Sequence, residues 1–242
     1  MFDKITYKPF GEKAILIEWE PRIAVEISEE ILLFQSKIKA KKNNSIVDYI
    51  VAYNSLTLIF KHQIHSFQIE VEHLKKIYAS KTKTFKKASF LWEIPVCYDL
   101  EFGIDLLEMS EKLNLQTSEI IKLHTQSLYR VYFVGFLPGF LYLGGLDEKI
   151  HFNRKSNPRL KVPKGAVGIG GKQTGVYPSE SAGGWNIIGK TPIDFFNINK
   201  QQPCFANSGD FIKFVEISKN DFLKIQKEVK QNTYTVSKTF KI

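Results

Sequence analysis

Arginine is scarce in this chain. Of 34 basic residues in 242, the guanidinium side chains are Arg22, Arg130, Arg154 and Arg159, and the rest are lysine. The net charge of +9 invites a nucleic-acid reading. Phosphate and base recognition favour the planar guanidinium, however, and scattered lysines form a solvated surface, so nucleic acid is not expected as a partner. Cysteine is scarcer still: Cys97 and Cys204 lie far apart and outside any CxxC. That excludes a disulfide scaffold and fits reduced, buried thiols. No apolar run approaches the ~20 residues of a membrane span. Met1-Phe2-Asp3-Lys4 leads straight into an alternating pattern rather than a leader, so a cytoplasmic, soluble protein is expected. Internal repeats and low-complexity segments are lacking too.

With 43% hydrophobic and 24% charged residues, the composition is that of an ordinary globular protein. Alternation predicts strands over 4–9 and 13–19, and again over 46–53 and 56–60. Between the pairs, Ser28 is placed to cap a helix reaching about Lys41, with Ile31, Phe34 and Ile38 on one face. Ser66 caps a second helix through Phe67, Val71, Leu74 and Tyr78. The order ββαββα describes an α+β N-terminal domain over residues 1–80. The lysine-rich segment 80–88 reads as a linker.

A second domain, 89–242, then opens with a strand over 90–96, where Pro95 suggests an edge position. Helices follow near 104–114 and 117–128. From Tyr129 the pattern is mainly β: 129–136, 166–170, 185–189, 193–198 and 211–217. A helix capped by Ser218 and a last strand over 234–240 complete it. Many short strands with few helices suggest a closed or nearly closed barrel.

Most of the 15 glycines crowd between Phe133 and Pro192, interleaved with aromatics and prolines. Glycine at that density implies positive φ, bulges or close approach to backbone, and proline makes such turns rigid. Three of the four arginines fall at or beside this stretch. They serve either bidentate recognition of an anion or the bracing of loops. Tyr142, Gln173, Tyr177 and Trp185 offer aromatic walls and an amide, or else plain packing. With Arg154 and Arg159 they suit a small flat anion. His124 lies on the apolar face of its helix. It is either a satisfied core residue or a group that reaches the barrel mouth to move a proton.

Other motifs mislead. Gly184 to Thr191 fits a Walker A expression, but a proline-bounded β pattern surrounds it rather than a strand and a long helix. His62 and His65 lack a third ligand, so no metal site is expected. Ser181 has Ser179 two residues before it, not the glycine of a nucleophile elbow.

The blocks GFLPGFLYLGGL from Gly135, R-x-x-x-P-R-x-x-V-P-x-G from Arg154, QTGVYP from Gln173 and GGWxxIGKTP from Gly183 resemble the allophanate hydrolase subunit 1 family. That family includes one subunit of bacterial 5-oxoprolinase and the sensor-kinase inhibitor KipI. The resemblance implies a cyclophilin-like β-barrel for the second domain. It implies an enzyme subunit, inactive alone, that works with the A and C subunits, the latter of the allophanate hydrolase subunit 2 type. The assembled enzyme opens 5-oxo-L-proline to L-glutamate with ATP hydrolysis, with Mg accompanying ATP.

Activating a lactam carbonyl by phosphorylation needs cations on the phosphoryl oxygens, and Arg154, Arg159 and Lys164 are placed there, with His124 as acid or base. Phe136, Pro138 and Gly139 would join Tyr142, Gln173, Tyr177 and Trp185 in binding substrate. Two departures stand out: Ala166 replaces a usual serine and Lys190 a usual arginine. The alternative function is a KipI-like inhibitor that binds a histidine kinase without catalysis. An accessory role in urea carboxylation ranks lower, because no biotin or carboxylase segment is present.

Overall fold

The computed structural model describes residues 5–80 and 88–241, so nearly all of the expected linker lies outside the described residues. The chain divides into two compact units, Met1–Lys87 and Ala88–Ile242.

In the first unit the elements are β1 (Thr6–Pro9), β2 (Ala14–Glu18), α1 (Val25–Ala40), β3 (Ile46–Val51), β4 (Ser55–Phe60) and α2 (Phe67–Ala79). The antiparallel sheet has the order β1-β2-β4-β3. Every second residue of β4 (Leu56, Leu58, Phe60) is buried, as the period of a strand dictates. Against that face α1 lays Ile27, Ile31, Phe34 and Ile38, spaced four, three and four apart on one side of the helix. Ser66 caps α2 by accepting a hydrogen bond from the Ile69 N–H at 3.4 Å. Ser28 does not cap α1. The helix starts one turn earlier, because an added turn buries Ile27, and Ser28 Oγ is left buried with no hydrogen-bond partner among the described residues.

The second unit begins with β5 (Ser89–Val96), α3 (Leu106–Leu113), α4 (Thr117–Gln126), β6 (Tyr129–Val134) and β7 (Leu141–Gly144). The glycine-rich stretch then supplies β8 (Arg159–Val162), β9 (Ala166–Gly170), β10 (Gln173–Val176), β11 (Ser181–Gly183) and β12 (Asn186–Lys190). β13 (Phe211–Glu216), α5 (Lys219–Lys230) and β14 (Ser237–Lys241) follow.

These strands make a mixed α/β unit with several sheets. Among the described residues they do not make the expected closed barrel. A five-stranded sheet runs β14-β5-β13-β6-β7, a three-stranded sheet β10-β9-β12, and a pair β11-β8. Closure fails because no continuous ladder joins the sheets: β14, β7, β10 and β12 stay at sheet edges, with only isolated bridges such as Cys97–Lys190 between sheets among the described residues.

Two local expectations also fail. β5 is internal, between β14 and β13, yet Pro95 is tolerated because the pairing with β14 stops at Glu93. Residues 193–198 form no strand; Ile193 and Phe195 are buried in the core, and Phe195 packs against Phe205 at 5.2 Å.

Candidate functional site: a basic cleft beside α3

The glycines of the central stretch lie beneath large rings. A Cβ at Gly170 would stand 2.3 Å from the Trp185 ring, and one at Gly183 would stand 2.3 Å from the Tyr177 hydroxyl. With that clearance, Phe140, Tyr177 and Trp185 pack edge-to-face with centroids 5.6–6.2 Å apart. They form a small core of their own with Val162, Ala166 and Ile187, and Tyr142 leans on it. Trp185 and Tyr177 are therefore supports rather than open walls. Arg154 lies over the outer face of Trp185, 5.8 Å from its centroid. Burial pushes the Tyr177 hydroxyl pKa up, while the cationic Arg154 and Arg159 nearby pull it back.

Beyond Arg154 opens a cleft of about 680 Å³ between α3, the segment 151–157 and the β9–β10 turn. Backbone pairs hold the segment in place: Gly171 N–H donates to Phe152 O at 2.7 Å, and Lys155 N–H to Gly184 O at 2.7 Å. The buried Asn186 donates its amide to Asn153 O at 2.8 Å.

At the base of α3, buried Asp105 organises the charges. Its Oδ1 accepts from Arg159 Nη2 at 2.6 Å and lies 3.0 Å from Lys155 Nζ, and its Oδ2 accepts the Ile187 N–H at 2.6 Å. Lys155 also reaches Glu108 at 2.8 Å, and Lys112 reaches the other Glu108 oxygen at 2.7 Å. Those bonds, from Lys112 first and then Lys155, hold the Glu108 carboxyl down at about 2. The bond from Glu108 in turn raises the Lys155 pKa. Arg159 Nη1 is buried without a hydrogen-bond partner among the described residues.

The sequence-based candidates thus separate. Arg154 lines the cleft, and Arg159 is tied to the Asp105 cluster at its base. Lys164 is exposed on the β8–β9 turn, paired with Asp194 at 2.5 Å and outside the cleft lining. Phe136, with φ +67, and Pro138 are exposed on the β6–β7 loop, and buried Gly139 presses against Phe195 and Phe196. None of these three lines the cleft, nor do half-buried Gln173 and Tyr142, which stacks on Phe133 at 4.1 Å.

His124 does not reach a cavity mouth. It is fully buried, stacked on Phe214 at 4.6 Å. Thr174 Oγ1 donates to Gly168 O, so it accepts from His124 Nε2–H at 2.8 Å, and Nδ1 accepts from the Tyr98 hydroxyl at 2.7 Å. This network assigns the neutral Nε2–H tautomer. Burial lowers the His124 pKa to about 3.

Sequence reasoning missed Asp105, Glu108 and Lys155. The one signal available was the position of Asp105 just before a helix, which reads as an ordinary cap; its side chain makes no capping bond.

The chain belongs to the family described as carboxyltransferase domain, subdomain C and D, whose pattern matches residues 5–206. Within it, the chain is similar to the B subunit of 5-oxoprolinase from Bacillus subtilis (strain 168), with 35% identity over 228 residues, 90% of this chain and 95% of that one. The family resemblance carried by the glycine-rich blocks is borne out. A solved structure, TTHA0988, superposes with a TM-score of 0.74 at 29% identity over 85% of this chain. This chain spans 40% of the length of TTHA0988. The Kluyveromyces lactis urea amidolyase matches 98% of this chain with a TM-score of 0.78. At 16% identity, over 16% of its own length, that likeness shows the fold alone.

Proposed function

We propose that this chain is the B subunit of an ATP-dependent 5-oxoprolinase, a cytoplasmic hydrolase assembly that opens 5-oxo-L-proline to L-glutamate together with the A and C subunits. One observation carries the reading: the identity to the Bacillus subtilis B subunit of 5-oxoprolinase extends over 95% of that protein. The cleft supports it chemically. An amide carbonyl is a poor electrophile, and phosphorylation of its oxygen needs fixed cations around the transferring group. Arg154 and Lys155 supply such cations for the phosphates of ATP on a braced segment, with Arg159 held against Asp105 beneath them, whereas His124, neutral and enclosed, serves as a positioning and packing group rather than as acid or base. ATP enters as co-substrate. Mg is carried in on its phosphates, the usual manner for an ion that keeps several waters and few protein ligands.

The test is co-expression with candidate A and C subunits and measurement of ATP-dependent glutamate release from 5-oxoproline. A well-folded complex without turnover refutes the reading. Arg159→Lys keeps a cation against Asp105 but loses the planar fork, and is expected to lower kcat about 100-fold.

A further inference from the structure

We propose that the cleft beside α3 is a polyphosphate site that takes the phosphates of a nucleoside triphosphate on Arg154, Lys155 and Lys172, rather than the site of the small lactam. The inference rests on the reading above, that the chain serves an ATP-consuming enzyme.

Charge points this way first. The lining holds Lys112, Arg154, Lys155 and Lys172 against the single carboxylate Glu108. Glu108 is shared between Lys112 and Lys155, while Arg154 and Lys172 make no ion pair among the described residues. A compact monoanion would leave most of that charge unmatched; a polyanion matches it.

Size points the same way. About 680 Å³ is far more than a five-membered ring with one carboxylate needs, and lies within the usual range of ligand sites.

Construction is the third argument. Arg154 is held over Trp185, and Lys155 is fixed between Asp105 and Glu108. Lys172 sits on the β9–β10 turn beside Gly171, whose φ of +66 favours glycine and whose Cα faces open space. The Gly171 N–H and carbonyl are both bonded to Phe152, so the turn offers clearance for phosphate oxygens beside the Lys172 cation rather than backbone donors. Asn153, Ser156 and Asn157 add polar side chains along the same rim.

The experiment titrates the full chain with ATP and, separately, with inorganic tripolyphosphate, by calorimetry at fixed ionic strength. Both are expected to bind, and the double variant Arg154→Ala, Lys172→Ala to bind roughly tenfold or more weakly. 5-Oxoproline is expected not to displace tripolyphosphate. The control is Lys224→Ala, Lys227→Ala, which removes the same charge from exposed positions on α5 and is expected to bind like the parent. Equal weakening in both double variants would reduce the effect to net charge and overturn the proposal. So would absence of binding, or displacement by 5-oxoproline.

In the assembled complex, the cleft variant is expected to raise the KM for ATP and leave the KM for 5-oxoproline unchanged. Unchanged KM values for both would overturn the cleft assignment and leave the enzyme reading standing. A parent complex that binds tripolyphosphate through the cleft but releases no glutamate would overturn the enzyme reading alone.

Discussion

Acidification below neutrality should weaken the second unit through one buried imidazole. His124 is enclosed by α4, β5's extension at Tyr98, β10 at Thr174 and β13 at Phe214, with Tyr129 alongside. The titratable groups facing it are Tyr98 and Tyr129, both held neutral by burial. In the unfolded chain His124 takes a proton near its ordinary pKa of 6.5; in the folded protein burial delays that to about 3. The unfolded state therefore binds the proton first. The stabilising contribution is fully present above pH 6.5 and is lost progressively as pH falls toward 3.

The slope in that window is about 1.4 kcal/mol per pH unit, or about 2 kcal/mol between pH 7.5 and 5. That is a large share of the stability of a typical domain. The assay is urea unfolding at pH 7.5, 6.5 and 5.0 in a Trp19→Phe background. Fluorescence then reports Trp92 and Trp185, both in the second unit. His124→Gln keeps a donor for Thr174 and an acceptor for Tyr98 but cannot titrate, so its slope should be flatter by that amount. Parallel pH profiles for parent and variant would refute the reasoning.

Two further outcomes concern structure. Asp105→Ala strands the Ile187 N–H and leaves Arg159 and Lys155 facing each other. Because those cations keep 28% and 20% exposure, the cost should be about 2–4 kcal/mol in urea unfolding, with about half recovered by Asp105→Asn. A loss below about 1 kcal/mol would mean that Asp105 organises nothing. Gly139→Ala and Gly171→Ala both force alanine into positive φ. At Gly139 the new methyl also meets Phe196 Cβ at 2.8 Å and the Phe195 carbonyl at 2.9 Å, whereas Gly171 faces open space. Thermal unfolding should therefore separate them, with Gly139→Ala the worse by about 1–2 kcal/mol.

Local grammar made much of this molecule legible. Ser66 and Ser218 cap α2 and α5, and the 3.6-residue stripe of α1 and the alternation of β4 place their core residues correctly. Lysine-for-arginine economy pointed to Arg154 and Arg159. What stayed hidden is long-range. Asp105 and Ile187 are 82 residues apart and meet because β12 passes against the start of α3, where a Cβ on Gly103 would stand 2.5 Å from Ile188 O, and Arg159 reaches the same carboxylate from β8, 54 residues away. No spacing rule encodes that encounter. The short strands β7, β8, β10 and β11, of three or four residues each, carry too few alternations to register as strands. His124 was ambiguous for a different reason. A helix's apolar stripe says which way a side chain points, not whether it ends in packed rings or open water.

The parallel pairing of β5 with β13 has a consequence for biosynthesis. Ile94 lies opposite Phe214, 214 − 94 = 120 residues later. A ribosome adding about 5–20 residues per second needs roughly 6–24 s to supply that partner. Throughout that interval the nascent β5 carries Trp92, Ile94 and Val96 with neither of its final neighbours in existence, an apolar ribbon on which a holdase chaperone or a premature sister chain can act first.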